Sequence, residues 1–130
     1  MSQRLTIGAI VTALALTAAA QDWYQQRAER FRGDQWRPHI FDQVGTDLDH
    51  VWSGKAADRE RDRLKKTEEE LTKMQADLDH GRWDNGILND VIDSVQKSSN
   101  DERLAPRDRE VLADDLSRLK EFQDQHNHGH

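Results

Sequence analysis

An all-α fold is predicted, as a small four-helix bundle or two stacked helical hairpins. Three observations predict it. Apolar residues recur at helical spacing in four separate segments between Ile40 and Phe122. No run shows sustained period-two alternation of β-branched residues, so strand signals are absent. Gly, Pro and Asp stand where helices stop and start.

The first stretch has the order of a secretory signal peptide. Met1 to Arg4 carries one positive charge, Leu5 to Leu16 is uncharged and mostly apolar, and Thr17-Ala18-Ala19-Ala20 precedes Gln21-Asp22-Trp23. Ala18 and Ala20 are the small residues a signal peptidase needs, so cleavage is expected after Ala20. A retained anchor is the competing reading. A spanning helix needs about 20 predominantly apolar residues. Here the last third of the uncharged stretch is small alanines, and the next charge is Asp22. The chain has no cysteine, which excludes both a lipid-modified cysteine and disulfides. The mature chain, residues 21–130, is expected in the bacterial periplasm or outside the cell, without stable membrane insertion.

Residues 21–35 read as an N-terminal arm or a short helix, with Trp23, Tyr24 and Phe31 and a stop at Gly33. A helical domain is expected over residues 36–122. Pro38 suits a helix start, where its missing N–H is no loss. After it Ile40, Phe41, Val44, Leu48, Val51 and Trp52 form a stripe, with Gly45 a weak point costing about 1 kcal/mol. Ser53-Gly54 ends that helix. The second runs from about Ala56 to Asp79 and stops at Gly81. Leu64, Leu71 and Leu78 are seven apart, and Met74 lies between the last two. Asp62–Lys66 and Glu69–Lys73 are acid-before-base pairs four apart. Polar Glu60 and Thr67 argue for one-sided amphipathicity over a coiled coil.

Asp84 is the expected N-cap of the third helix, whose stripe is Ile87, Leu88, Val91, Ile92 and Val95. Lys97 to Asn100 reads as a polar connection. The fourth helix starts at Pro106, with Asp108 and Glu110 suiting the dipole in its first turn. Val111, Leu112, Leu116, Leu119 and Phe122 are its apolar face, and residues 123–130 read as a polar, His-containing tail. Leu88–Val95 resembles Leu112–Leu119, as any two amphipathic helices do.

Loss of Arg4 with the leader takes the net charge from −6 to −7. Such a surface repels phosphate backbones, so nucleic acid is excluded as a partner class, and anionic membranes are disfavoured. About two dozen large apolar side chains remain, each worth roughly 1.5–3 kcal/mol when buried. That implies a thin core, completed by self-association into a homodimer in one version of the reading. Trp23, Trp36, Trp52 and Trp83 supply much of the apolar area.

Chemistry-bearing constellations are few. Asp-Leu-Asp-His occurs at 47–50 and 77–80. The Asp-x-x-His spacing fits di-metal bundles, but both pairs sit at helix ends, where His50 and His80 suit the C-terminal dipole. The stretch from Asp77 to Gly86 departs from an EF-hand loop in its glycine and in position twelve, and reads as a helix stop and turn. His126, His128 and His130 are the metal candidates, with Zn, Cu or Ni as the ions imidazoles hold. No cysteine nucleophile, G-x-S-x-G, H-E-x-x-H or phosphate loop occurs, so no enzyme is expected.

Leu71-Thr72-Lys73-Met74-Gln75 resembles the LTxxQ motif of the periplasmic stress-chaperone family. The resemblance implies a small, exported, all-helical protein that binds unfolded clients or a sensor domain. Ile92 to Gln96 keeps only the Gln of a second copy. More broadly, Gln35 through Phe122 resembles small exported bacterial helical proteins of uncharacterised function. The expected function is binding of an envelope protein, as a stress adaptor or chaperone-like protein. The binding device would be an apolar groove between helices, or a Trp-bearing surface with one or two of Trp36, Trp52 and Trp83 partly exposed. Metal buffering by the tail is the alternative.

Overall fold

The computed structural model describes residues 21–128. The expected leader lies outside them, as do Gly129 and His130. Among the described residues there are helices and turns and no strand. The protein is all-α, with five α-helices among the described residues: a short one in the N-terminal segment and four after it. None of these helices is long and apolar enough to cross a membrane.

Backbone contacts divide the chain into two compact units, Met1–Trp36 and Arg37–His130. In the first, residues 21–30 are helical (α1). Arg27 stacks its guanidinium 4.3 Å from the Phe31 ring centre, and Phe31 lies 6.0 Å from Trp36. The Trp36 indole N–H donates to the Gly33 carbonyl at 2.9 Å.

The second unit opens with one 3-10 turn, Arg37–His39, and four helices follow: α2 (Ile40–Trp52), α3 (Asp58–Asp79), α4 (Asn85–Ser99) and α5 (Pro106–His128). Each packs on the next in sequence, and α5 closes back on α2. The stripe of α2 is wholly inside: Ile40, Phe41, Val44 and Leu48 are fully covered, as nearly are Val51 and Trp52. Leu88, Val91 and Val95 of α4 and Leu112 and Leu119 of α5 meet them there. Leu64, Leu71 and Met74 complete the core from α3, while Leu78 stays half-exposed.

The helix ends follow backbone chemistry. Gly81 takes φ of +72°, a conformation that costs glycine nothing. The Arg82 N–H then reaches the Asp77 carbonyl at 2.7 Å and the Gly81 N–H reaches Leu78 at 3.1 Å. This is the paired bonding of a Schellman stop. It is a helix end, as the sequence indicated. Here Lys73 turns to Asp77 at 3.1 Å, and to Asp84 at 4.0 Å, away from Glu69. Asp84 caps α4 by accepting from the Ile87 N–H at 3.0 Å.

Two expectations about segment ends are corrected. Lys97–Ser99 is the last turn of α4 and not a connection. Ser98 is fully buried and accepts the Trp52 indole N–H at 3.1 Å. Residues 123–128 continue α5 and are not a loose tail. The reason is long-range polar bonding. Arg37 donates to Gln125 at 2.7 Å and to Glu121 at 3.1 Å, and Gln123 donates to Asn85 and Asn89.

Buried polar groups tie helices together. Thr67, polar at a heptad position, is 2 % exposed. Its hydroxyl donates to the Arg63 carbonyl at 2.9 Å and lies 2.6 Å from the Ser94 hydroxyl of α4. A hydroxyl has one proton, so Ser94 donates in that pair. Gln75, the last residue of the LTKMQ motif, is buried. Its amide nitrogen donates to the Pro38 carbonyl at 2.7 Å and to Asp79 at 3.0 Å. Its carbonyl oxygen accepts the Asp42 N–H at 3.2 Å.

Candidate functional site

Two neighbouring concavities of the second unit lie between α2 and α3. These open clefts, of about 510 and 380 Å³, share Asp49 and Glu68 as their common wall. Leu48, Trp52 and Leu64 lie beneath the larger one, near the end of α2. Gly45 and Leu71 lie beneath the smaller one. The helical period explains the groove: residues 42, 45 and 49 fall on one side of α2 and 68 and 72 on the facing side of α3. Gly45 sits between Asp42 and Asp49 on this side of α2 and contributes no side chain.

No packing demand requires that glycine. A Cβ at Gly45 would meet only the Leu71 Cδ1, at 3.9 Å, an ordinary van der Waals contact. Gly45→Ala is therefore expected to raise stability by about 0.5–1 kcal/mol. The readout is a higher urea midpoint at unchanged slope; a lower midpoint would show that the position is sterically closed.

The groove is acidic at its narrower end. Asp42, Asp49 and Glu68 line the smaller cleft without a cation, whereas Arg61 and Lys65 enter the larger. Arg61 is already paired with Asp58. Partial burial pushes the Glu68 carboxyl above its ordinary value, and the charge of Asp49 adds to the effect. Burial and the neighbouring carboxylate both disfavour the charged form of Glu68, and a cation beside it would favour that form.

Trp36 and Trp52 are each 3 % exposed, so of the three candidate docking tryptophans only Trp83 is partly exposed. Trp52 is held by Ser98 below and by the Arg103 guanidinium, 5.4 Å over its ring. Trp83 is half-buried. It packs on Phe41 and Phe122 and stacks on His126, with ring centres 3.7 Å apart and planes 14° apart.

The histidines expected to gather metal are also separated. Along a helix, residues two apart point about 200° apart, so His126 faces Trp83 while His128 turns outward to Asp124 at 3.0 Å. His130 lies outside the described residues. Among those residues no group of three or more His, Asp or Glu side chains is placed to hold a metal ion. His80 bonds the Ala76 carbonyl at 2.7 Å, as a C-terminal cap does.

Sequence reasoning missed an ionic cluster at the start of α3, beside Trp52. Arg103, in the α4–α5 connection, reaches Asp101 at 2.6 Å and Glu60 of α3 at 2.5 Å. Those bonds to Arg103 hold the Asp101 carboxyl down to about 2 and lower Glu60 as well. A carboxyl depressed by folding contributes stability above its unfolded value, near 3.9 for Asp. That contribution is lost as pH falls towards the folded value. Thermal stability is therefore expected to hold from neutral pH to about 5 and to fall below about 4. Arg103→Met should flatten that acid limb in melts recorded against pH; an unchanged limb would assign it to other carboxylates.

Comparison with known protein families, characterised proteins and solved structures finds no match to this chain.

Proposed function

We propose that this protein acts without catalysis of its own, by binding another protein in the cell envelope after its leader is removed, as a stress adaptor or chaperone-like protein. In this reading α2 to α5 are a four-helix bundle that serves as the binding body. The observation that carries it is the long open groove between α2 and α3, floored by Leu48, Leu64 and Leu71 and opened by Gly45. A groove between two helices has the width to receive a helical segment of a partner. The order of residues 1–20 and the LTKMQ resemblance support export and an adaptor role.

The test is site-specific photocrosslinking in intact cells. A crosslinker at Thr72, exposed on the lip of the groove, is compared with one at Asp93, exposed on α4. Adducts with an envelope protein from Thr72 and none from Asp93 are expected. Absence of adducts from Thr72 would overturn the reading.

A further inference from the structure

The groove between α2 and α3 has a chemical direction along its length, and this direction selects a partner. We propose that it docks a helical segment of a partner protein that places a Lys or Arg between Asp49 and Glu68 and a small apolar side chain over Gly45. The proposal rests on the protein-binding reading above and adds the chemistry of the partner.

Three observations carry it. The first is charge. Asp42, Asp49 and Glu68 converge on the smaller cleft from both helices, and no cation lines it. Like charges facing one another across a groove repel, and a basic side chain between them removes that repulsion. The raised Glu68 carboxyl is consistent with this. The second is shape. Gly45 stands mid-helix at a cost of about 1 kcal/mol, with room for a Cβ. A glycine without an internal packing role leaves space for close approach of another backbone. The third is the floor. Leu48, Leu71 and Trp52 are nearly covered already and Leu64 is 8 % exposed. Little apolar surface is left to bury, so charge and fit must supply the affinity, and binding must be sensitive to salt.

The groove also sets the polarity of its guest. Lys65 and Arg61 border only the larger cleft, at the end of α2. A guest with its basic residue at Asp49 and an acidic or neutral residue towards Lys65 is matched; the reversed guest meets like charges at both ends.

The probes are two amphipathic helical peptides of Ala and Leu, one with Lys along one edge and one with Glu at the same positions. Binding to the full chain is followed by fluorescence anisotropy of labelled peptide. The Lys peptide is expected to bind at least about tenfold tighter than the Glu peptide, and to be lost on going from about 0.02 M to about 0.5 M salt. Asp49→Asn with Glu68→Gln should weaken it about tenfold. Asp62→Asn with Asp93→Asn, the same charge change on exposed positions elsewhere, should not. Thr72→Trp, on an exposed lip where folding is not at stake, should block the groove. Equal binding of the two peptides, or equal loss in both Asn/Gln pairs, would overturn the proposal. Loss of the Lys preference while the Thr72 crosslinks persist overturns the basic-helix assignment alone. Loss of those crosslinks overturns the protein-binding reading beneath it.

Discussion

Trp52→Ala is expected to destabilise the protein by about 3–5 kcal/mol, the cost of removing a large buried ring. For a domain of this size the melting temperature should fall by more than about 15 °C. The magnitude follows from where the ring sits. Trp52 closes α2, is 3 % exposed, and joins α4 through Ser98 and the α4–α5 connection through Arg103. Alanine leaves a cavity and leaves the Ser98 hydroxyl with only the Arg63 guanidinium, at 3.5 Å, as donor. Two milder variants separate the terms. Trp52→Phe keeps most of the packing and loses the indole bond, at about 1–2 kcal/mol. Ser98→Ala leaves a buried indole N–H without its partner, at about 1–3 kcal/mol. Urea titration of the three would measure this. A Trp52→Ala protein as stable as the parent would mean the ring is not in the core.

Gln75→Leu should cost about 2–4 kcal/mol, although leucine is close in size and more apolar. Three bonds go at once, and two of them satisfy backbone groups of the 3-10 turn and of α2. The residue before α2 is His39, whose side chain makes no capping bond. Gln75 of α3 supplies that function from across the core. It accepts the Asp42 N–H and donates to the Pro38 carbonyl. Both bonds are part-buried, so each lost partner costs towards the lower end of the about 1–3 kcal/mol of a buried unsatisfied group. A local cap should restore part of the loss. His39→Ser in the Gln75→Leu background is expected to recover about 1 kcal/mol, and to gain less in the parent. Equal gains in the two backgrounds would show that Gln75 does not cap α2.

These two residues mark where the sequence was legible and where it was not. Helix starts and stops announce themselves locally. Asp84, Gly81 and Pro106 act within a few residues of the backbone they serve. The apolar stripes of α2 and α4 are periodic, so their burial followed from spacing. Polar contacts between distant residues have no period. Ser98 in a run of Lys-Ser-Ser-Asn looked like a connection, because the indole it serves lies 46 positions away. Gln75 sat in a recognised motif, yet its role depends on Pro38 and Asp42, which spacing on α3 does not reveal. The end of α5 was read as a tail because apolar residues stop at Phe122; Arg37 and Trp83 hold it instead. Gly45 was visible as a weak point in its helix. Only the packing of α2 on α3 turned that weakness into the floor of a groove.

The bond from Arg37 to Gln125 brings the beginning of the second unit within touching distance of its finish. A chain whose two extremities meet is a loop in all but one covalent link. A few added residues could therefore join position 128 to position 37, and the exposed Ser53-Gly54 turn could be opened as new termini. The helices of such a rewired polypeptide would keep their neighbours while the order of their synthesis changed.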